Sequence, residues 1–500
     1  MFNEHKHNMK KICILLFTQL ALCCTSFAAN YLTFTAEEDN SSFSIEDHNI
    51  KSKIFYSLDN GETWNQLTDE PVGLAKGDRA LLKGEKPDSK VTTSYYSNFK
   101  MEGAIAASGS VMSLVDGDGE SKTIPYDYCF CRLFQDCSSL TKAPELPATT
   151  LARACYLEMF KGCSSLTQTP ELPATTLAYG CYYYMFSRCT SLTQAPELPV
   201  TQLEKNCYEG MFSRCTSLTQ APKLPATTLA KGCYANMFSE CSSLTQAPEL
   251  PATTLAEICY LRMFCMCSSL TEAPKLPATT LAEGCYSYMF GGCTSLTEAP
   301  ELPATTLATS CYSYMFHGCS SLTEAPELPA TTLKDSCYEY MFRGCTELTK
   351  APDLPATTLI GHCYWSMFEG CWRLTYIKVA FSDWGFSSTY SWTDYVAKNG
   401  TFVCPEGLTL YYNGSHIPEG WTVNWLETRT EEVPAEEGLS VRTSGLTIFI
   451  GNANADIEVY EVGGKLIGKV RTMSGEAQMT VPQPGVYLVK AGAQTLKVVL

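Results

Sequence analysis

Residues 137–162 read CSSLTKAPELPATTLARACYLEMFKG, and this stretch decides the fold because it recurs eight more times at a constant period of 26 residues. The near-copies begin at Cys163, Cys189, Cys215, Cys241, Cys267, Cys293, Cys319 and Cys345. A partial unit from Cys129 precedes them, and a degenerate unit from Cys371 follows. A fixed period without insertions predicts a solenoid, in which each coil buries its apolar face against the next coil.

Each coil is predicted to begin with a short strand. The segment SLTxAP has the composition of a strand, with Leu140 and its equivalents up to Leu348 pointing inward. Pro144 and Pro147 follow closely, and proline cannot donate to a β-ladder. The strand is therefore expected to span only about three residues of each coil.

The second half of each coil is predicted to be a short helix. In LAxxCYxxMFxGC, the residues Leu151, Cys155 and Met159 lie four apart, which places them on one face of a helical or 3₁₀ segment. Tyr156 and Phe160 share the same spacing. A glycine that could cap such a helix ends five units, at Gly162, Gly292, Gly318, Gly344 and Gly370. The predicted fold class is therefore α/β: a leucine-rich-repeat-like solenoid of about ten coils, each with a short strand and a short helix, flanked by all-β domains.

The pattern CxSLTxAPxLPATTLAxxCYxxMFxG resembles the 26-residue repeat of BspA-like bacterial surface proteins, over about residues 125–425. The resemblance implies an exported, cell-surface or secreted protein of the kind implicated in adhesion. It brings no catalytic residue and no cofactor. The segment xAPxLP departs from the commoner, shorter BspA unit, so the shape of that unit's coil does not carry over.

Composition excludes several classes of function. The 500 residues carry 36 basic and 52 acidic side chains and a net charge of −16, which lacks the basic footprint of a nucleic-acid-binding protein. Only six histidines accompany 26 cysteines, so a Cys/His nucleophile pair or a histidine-based metal site is not expected. No acid/base pair, catalytic triad or phosphate loop can be placed, and we predict a protein that is not an enzyme and holds no metal.

The chain is predicted to be exported. Lys10 and Lys11 precede an apolar run over residues 12–24, and Ser26-Phe27-Ala28 fits a signal-peptidase site. The run is shorter than the roughly 20 apolar residues needed to span a bilayer. Six segments are expected: a signal peptide at 1–28, an N-terminal β domain at 29–124, the solenoid at 125–376, its cap at 377–426, an acidic linker at 427–440 and a C-terminal β-sandwich at 441–500.

Twenty cysteines fall in two columns, one running from Cys129 to Cys363 and the other from Cys137 to Cys371. Three interpretations stay open: buried free thiols that act as small hydrophobic groups, disulfides, and metal ligands. In each case the cysteines are structural, among them Cys155, Cys163, Cys181 and Cys189. Cys131 and Cys265 break the columns and are predicted to be exposed and reactive.

One motif lies in the N-terminal region. The segment from Ser57 to Trp64, SLDNGETW, matches the Asp-box found in sialidases and related propellers. An Asp-box is a hairpin turn in which the Ser and Asp tie the turn and the Trp packs beneath it, so Asp59 and Trp64 are predicted to be structural. A glycosidase would need several such boxes and an arginine cluster.

The C-terminal segments are predicted to cap the solenoid and to form a separate β unit. Aromatic residues suited to a cap are Trp384, Trp392, Tyr395, Phe402, Trp421 and Trp425. The last 60 residues alternate apolar and polar side chains around Gly463-Gly464, as in antiparallel strands. They resemble the C-terminal sorting domain of type IX secretion substrates, through Val459-Tyr460, Gly463-Gly464-Lys465-Leu466, Gly485-Val486-Tyr487 and Lys497-Val498-Val499. A β-sandwich without a sorting role is the alternative.

Variable positions within the repeat are the candidates for ligand binding. Tyr288, Tyr314 and Tyr340 occupy one column on three successive coils, and Tyr184 and Trp365 extend the candidate ridge. Aromatic side chains with polar tips suit contacts with protein or carbohydrate, although they could simply stack along the surface.

A second candidate surface is acidic. Its members are Glu145, Glu171, Glu197, Glu249, Glu301, Glu327 and Asp353, with Lys223 and Lys275 interrupting the column and Glu272, Glu298 and Glu324 beside it. It could bind Ca²⁺ or a basic partner, or it could be a solvated face.

These observations predict a non-enzymatic surface or secreted protein whose solenoid binds an extracellular protein or glycan of a host or a neighbouring cell. Two alternatives remain: a purely structural protein of the cell envelope, and an enzyme, either a glycosidase or a thiol enzyme that uses Cys131 or Cys265.

Overall fold

The computed structural model describes residues 30–47, 54–85, 97–385, 387–426, 440–444, 446–451, 456–461, 465–470, 477–491 and 494–500. The chain divides into two compact units, Met1–Asn424 and Trp425–Leu500. The predicted signal peptide at 1–28, the acidic linker at 427–440 up to residue 439, and the Gly463-Gly464 turn lie outside the described residues.

The first unit begins with two packed antiparallel sheets. Their elements are β1 (Leu32–Ala36), β2 (Ser41–Asp47), β3 (Ile54–Ser57), β4 (Asn65–Gln66), β5 (Val72–Leu74), β6 (Arg79–Gly84), β7 (Ser97–Glu102), β8 (Ile105–Ser108) and the short helix α1 (Ser113–Asp116). One sheet has the order β4-β3-β6-β1-β8, and the other has the order β5-β2-β7. Phe34 of the first sheet packs edge-to-face on Phe43 and Phe99 of the second, with ring centroids 5.2 and 5.0 Å apart. This aromatic contact joins the two sheets into one core.

The larger sheet continues into the solenoid. Strand β9 (Leu140–Lys142) lies in the first full coil and pairs in parallel with β8, with Ile105 opposite Leu140. Both of these side chains are fully buried. The N-terminal sheet therefore covers the apolar face that the first coil would otherwise expose.

Regular strands occur only at the two ends of the solenoid, among the residues described. These are β9 and β10 (Tyr376–Lys378), whereas the coils between them are joined by isolated parallel bridges such as Gln220–Gln246 and Glu298–Glu324. At bridges such as these two, a proline follows two residues later and ends the pairing, because proline lacks an N–H for the ladder. The inward leucines are as predicted, since Leu140 and its equivalents up to Leu348 are all fully buried.

The predicted helix in each coil is wrong. In the second half of the coil, alternate N–H groups donate to the next coil: Tyr156 N to Cys181 O at 3.0 Å and Glu158 N to Tyr183 O at 2.8 Å. The intervening N–H groups donate three residues back, as from Met159 to Tyr156 O at 3.1 Å. A helix would keep all of these bonds within itself. The segment is instead a run of four-residue turns, called here the turn ladder, so the solenoid is built from strands, bridges and turns and is not an α/β structure.

Every fourth residue of the turn ladder is left-handed. In the first full coil these residues are Ala154, Glu158 and Gly162, with φ of 50°, 52° and 79°. The glycine that ends five units thus occupies a left-handed position, as a C-cap would, but there is no helix for it to cap. A spacing of four residues suits both a helix and this ladder, and for that reason the apolar stripe alone did not separate them.

One left-handed position carries a β-branched residue, Ile258, with φ of 47°. A left-handed L-residue costs about 1–2 kcal/mol, and glycine removes that cost. We expect Ile258→Gly to raise the free energy of unfolding by about 1 kcal/mol, whereas in a helix the same change would lower it. Ile360, 49% exposed and without a positive φ, provides the control. Chemical denaturation that shows Ile258→Gly to be as destabilising as Ile360→Gly would contradict the turn ladder.

The interior of the solenoid consists of continuous side-chain columns. Tyrosine rings from Tyr156 to Tyr364 stack coil on coil with centroids 5.7–6.0 Å apart. Phenylalanine rings from Phe134 to Phe368 stack at 5.4–5.9 Å. Each coil therefore covers the rings of the coil before it and presents the same surface to the coil after it.

An aromatic cap closes the far end of the solenoid. Its strands are β10, β11 (Thr401–Cys404) and β12 (Thr422–Trp425), which form a three-stranded sheet in that order. Trp392 is fully buried among the rings of Tyr364, Phe368 and Phe402, and its Nε1 donates to the His416 carbonyl at 2.7 Å. Tyr395 and Trp425, also predicted to belong to the cap, are 75% and 46% exposed.

The second unit contains two antiparallel sheets. Its strands are β13 (Ser440–Ser444), β14 (Thr447–Gly451), β15 (Ile457–Glu461), β16 (Leu466–Val470), β17 (Ala477–Thr480), β18 (Val486–Ala491) and β19 (Gln494–Val499). The sheet orders are β13-β14-β17 and β16-β15-β18-β19. The pairs β15–β16 and β18–β19 are antiparallel, as the alternating pattern predicted. Ile448, Val459 and Val489 lie in a small core of this unit's own.

Candidate functional site

Three tyrosines of the predicted ridge stack directly on one another. The ring centroids of Tyr288 and Tyr314 are 4.1 Å apart with planes at 9°, and those of Tyr314 and Tyr340 are 4.4 Å apart with planes at 15°. All three side chains are half-buried. We call Tyr288, Tyr314 and Tyr340 the tyrosine ridge.

Arginines cover both ends of the tyrosine ridge. The guanidinium of Arg262 lies 4.5 Å from the ring centroid of Tyr288, and that of Arg343 lies 5.5 Å from the centroid of Tyr340. Arg343 is also held by Glu369 at 2.9 Å. The ring faces are thus occupied by neighbours, and the ridge presents ring edges and hydroxyl groups to solvent. Burial, followed by the neighbouring tyrosines, raises the pKa of Tyr314, so its hydroxyl stays neutral.

A histidine that the sequence analysis missed lies beside the ridge. The ring of His317 contacts Tyr314 edge-on, with centroids 5.8 Å apart, and its Nδ1 is buried without a hydrogen-bond partner. Burial and the Arg343 guanidinium lower the pKa of His317 below its usual value, which keeps the ring neutral near pH 7. Its position three residues after Tyr314 was the only sequence signal.

Tyr184 and Trp365 do not extend the ridge. Gly210, Asn236 and Arg262 occupy the same column on the three coils between Tyr184 and Tyr288. Trp365 lies in the neighbouring column, where its ring packs on His362 at 4.4 Å and on Tyr390 at 5.2 Å. The sequence of this column already places three non-aromatic residues between Tyr184 and Tyr288, and it places Arg262 next to Tyr288.

The ridge column coincides with the middle left-handed position of the turn ladder. Tyr288, Tyr314 and Tyr340 have φ of 56°, 58° and 54°. The core columns on either side of this position, such as Tyr286 and Met289, are fully buried or nearly so. The fold thus fixes the core positions and leaves this column free to carry different side chains, although non-glycine residues there cost backbone energy. Strained residues of this kind gather at functional sites in proteins.

All 23 cysteines within the described residues are free thiols. In the second column each Sγ from Cys163 onward donates to a phenylalanine carbonyl of the preceding coil at 3.1 Å, as from Cys163 to Phe134 and from Cys189 to Phe160, whereas Cys137 donates to Phe99 of β7. Burial raises the pKa of Cys241 and Cys285 to about 12 and that of Cys155 and Cys181 further. A neutral buried thiol is unreactive, which suits a structural role.

The prediction that Cys131 and Cys265 are exposed and reactive is wrong. Cys131 is buried, and burial raises the pKa of its thiol to about 12. Cys265 is half-buried, and its pKa is raised by the same cause. At each thiol the effect of burial outweighs that of the neighbouring arginine, which is Arg132 for Cys131 and Arg262 for Cys265, so neither is a nucleophilic thiolate.

The Asp-box segment forms a hairpin turn. The Ser57 hydroxyl donates to Asp59 Oδ1 at 2.6 Å, and Asp59 accepts from the Thr63 amide and hydroxyl at 2.9 and 2.5 Å. These donors lower the pKa of Asp59 well below its usual value. Trp64 packs against Tyr31, with ring centroids 5.2 Å apart, and Lys83 lies 3.9 Å from its ring centroid.

The acidic stripe faces solvent, and every one of its seven acidic members is exposed. Asp353 pairs with Lys378 at 2.6 Å. Two grooves follow the proline-rich segments on this side, one of about 370 Å³ between residues 142–147 and 168–173 and one of about 710 Å³ between residues 323–329 and 349–355. Among the described residues no group of three His, Cys, Asp or Glu side chains is arranged to hold a metal ion, and no helix there is long and apolar enough to cross a membrane.

The repeat region of this chain is similar to a known protein family. A family model described as the BspA type leucine rich repeat region matches residues 131–271 and 262–388 in six copies, which together span slightly more than half of the chain. The chain belongs to this BspA-type family. The match begins near the first column cysteines and ends in the cap, so the BspA-type repeats are the coils described above.

Other comparisons add little to the BspA-type match. No curated protein sequence matches the chain. One solved structure, titled as the crystal structure of a TLR13-ssRNA13 complex, shares 14% identity over 57% of this chain and 39% of that chain, with a TM-score of 0.25. The match thus covers well under half the length of that solved chain, and similarity at this level supports no statement about ligand.

Proposed function

We propose that this protein is an exported, non-enzymatic binding protein whose solenoid displays the tyrosine ridge to an extracellular protein partner. The observation that carries the proposal is a contrast between columns: the core columns are constant and buried, whereas the ridge column varies in residue type and is half-buried at Tyr288, Tyr314 and Tyr340. The BspA-type repeats support it, because repeats of this type are typical of bacterial surface proteins. Stacked solenoids also provide extended, rigid binding surfaces.

The geometry of the ridge favours protein over glycan as the ligand. Sugars bind aromatic residues through a free ring face, but the faces of Tyr288, Tyr314 and Tyr340 are covered by one another and by two arginines. The hydroxyls can instead donate hydrogen bonds to carbonyl groups of a partner, and the ring edges can pack against its apolar groups. Tyrosine and arginine are the residue types most often found at protein interface hot spots.

Removing the ridge is expected to weaken partner binding. The full chain and a Tyr288→Ala/Tyr314→Ala/Tyr340→Ala variant would be immobilised and exposed to serum and extracellular-matrix proteins, with bound proteins identified by mass spectrometry. For any partner that saturates the wild-type protein, we expect the variant to bind at least about tenfold more weakly, as loss of a hot-spot cluster implies. A variant with Tyr288→Phe, Tyr314→Phe and Tyr340→Phe tests the hydroxyls alone.

The matched control changes the acidic stripe on the coils of Tyr314 and Tyr340 and on the coil that follows them. Glu301→Gln, Glu327→Gln and Asp353→Asn alter three exposed residues and leave the ridge intact. If the wild-type protein and the Tyr→Ala variant bind the partner equally, the ridge is not the binding surface. If only the control variant loses binding, the acidic stripe is the binding surface. Absence of any saturable partner would instead favour a structural protein of the cell envelope.

Export and sorting are the second part of the proposal. The segment at 1–28 has the pattern of a signal peptide, and the antiparallel pairs β15–β16 and β18–β19 are consistent with the resemblance to a type IX sorting domain. Deleting residues 441–500 is then expected to leave the protein inside the cell envelope. Protease shaving that finds the truncated protein at the surface would show that the unit has no sorting role.

A further inference from the structure

A second cluster in the variable columns lies four coils before Tyr288 and consists of Tyr183, Tyr184 and Glu209. The rings of Tyr183 and Tyr184 have centroids 4.7 Å apart and planes at 54°, so their faces are not stacked on each other. The Tyr184 ring lies over Gly210, where a Cβ atom would come within 2.4 Å of it. The missing side chain at Gly210 thus makes room for the ring, directly beside Glu209 in the sequence.

Hydrogen-bond acceptors of this cluster converge on one point. Above Gly232 of the next coil, an added Cβ atom would lie 2.5 Å from Asn206 Oδ1 and 3.6 Å from Glu209 Oε2. Glycine is required at this position because the Asn206 amide oxygen lies where a Cβ atom would be, and the Glu209 carboxylate oxygen lies on the same side of Gly232. The Tyr183 hydroxyl donates to the Glu209 carboxylate and holds it in place.

The carboxylate of Glu209 has no compensating charge. It is half-buried, and burial raises its pKa to about 7, with only the Tyr183 hydroxyl acting in the opposite direction. The groups that face it are Tyr183, Tyr184, Asn206 and the Gly232 backbone. Among the described residues no charged side chain contributes to its pKa, whereas Arg214 and Arg262 act on Tyr184.

We propose that Tyr183, Tyr184, Asn206 and Glu209 form a binding site for an alkylammonium group, and specifically for the primary ammonium of a lysine side chain. Aromatic faces attract cations, and a carboxylate without an opposite charge nearby gains most from a cation that brings that charge. A primary ammonium also has three N–H donors for the Asn206 and Glu209 oxygens, which a quaternary ammonium lacks. The net charge of −16 draws cationic ligands towards the protein.

This site goes beyond the function proposed for the tyrosine ridge and shares no residue with it. A protein partner seated on the ridge could place a lysine here, but the site would bind the isolated group as well. The test therefore uses a small probe, and its result does not depend on whether a ridge partner exists.

The probe is Nα-acetyl-lysine methylamide, titrated into the full chain and followed by ligand NMR. Two further probes are its Nε-acetylated form, which is neutral, and tetramethylammonium, which is cationic without N–H groups. We expect saturable binding of the first probe with a Kd of about 1–10 mM, as one cation–π and ion-pair site implies. Tetramethylammonium should bind more weakly, and the neutral probe should not bind.

Glu209→Gln and the pH dependence test the role of the carboxylate. Because the pKa of Glu209 is about 7, its ionised fraction falls about tenfold from pH 8 to pH 6, and affinity for the probe should fall by the same factor. Glu209→Gln should lose about tenfold in affinity at pH 8 and all of the pH dependence. The control is Glu204→Gln, an exposed residue of the same coil, which should change nothing.

Three results would overturn the proposal: equal binding of the charged and neutral probes, unchanged affinity in Glu209→Gln, or no saturation by any cationic probe. Tighter binding of tetramethylammonium than of the lysine probe would assign the site to quaternary ammonium ligands and contradict the lysine specificity.

Discussion

Raising the pH from 8 to 10 is expected to unfold the solenoid cooperatively. The twenty column thiols are buried and neutral, and burial raises their pKa, to about 12 at Cys241 and Cys285, above the value of 9.0 for a free thiol. The folded state therefore keeps protons that the unfolded chain releases above pH 9. Below pH 9 these thiols should therefore add no pH dependence to the free energy of unfolding. Above pH 9 they should lower it, by about 1 kcal/mol per thiol at pH 10. Twenty such groups outweigh the roughly 5–15 kcal/mol that stabilises a typical domain.

Circular dichroism, recorded together with thiolate and tyrosinate absorbance, measures this transition. All three signals should change in one step, because the buried tyrosines also titrate only after unfolding. Thiol counting of the unfolded chain without reductant is the control. A fold that persists to pH 12 would contradict free buried thiols, and if the counting also found few thiols, the columns would be disulfide-bonded.

Truncating one ring in the middle of the phenylalanine column is expected to have the second large effect. Phe238 is fully buried and stacks at 5.8 Å on Phe212 and on Phe264. Phe238→Ala should lower the free energy of unfolding by about 3–5 kcal/mol through lost burial and the cavity that remains. Because each coil contacts only its neighbours, the defect should also uncouple the coils on its two sides.

Denaturation in urea distinguishes these two consequences. We expect a lower midpoint and a broadened or two-step curve for Phe238→Ala. Met266→Ala, which truncates a residue that is 55% exposed in an adjacent coil, should stay within about 0.5 kcal/mol of wild type. A single sharp transition for Phe238→Ala, shifted no further than for Met266→Ala, would rule out the nearest-neighbour description.

Much of the solenoid could be predicted from the sequence because its core is periodic. The period fixed the coils, and the inward leucines follow from one residue type recurring at one position. The backbone of the second half could not be derived from the apolar spacing, since a helix and a ladder of four-residue turns place side chains on the same face. A signal was present in the residue types tolerant of left-handed φ, such as Asn206, Gly232 and Gly284, which recur at one of the turn positions.

The candidate sites were predictable to different degrees. The contact among Tyr288, Tyr314 and Tyr340 could be predicted, because residues one period apart lie on adjacent coils, and their rings do stack. The repeat period did not reveal Glu209, whose raised pKa comes from burial of the carboxylate and is opposed only by the hydrogen bond from Tyr183. Such burial depends on the conformations of neighbouring side chains, which the repeat pattern does not determine.

The uniform contacts between coils also bear on how such a chain can evolve. In every coil from Cys163 to Cys371, the cysteine Sγ donates a hydrogen bond to the equivalent phenylalanine carbonyl of the coil before it, always at 3.1 Å. If one coil were gained or lost in frame, the remaining coils would therefore still meet through the same contacts. Recombination between near-identical repeats could therefore lengthen, shorten or reshuffle the displayed surface of a gene lineage while its interior stays intact.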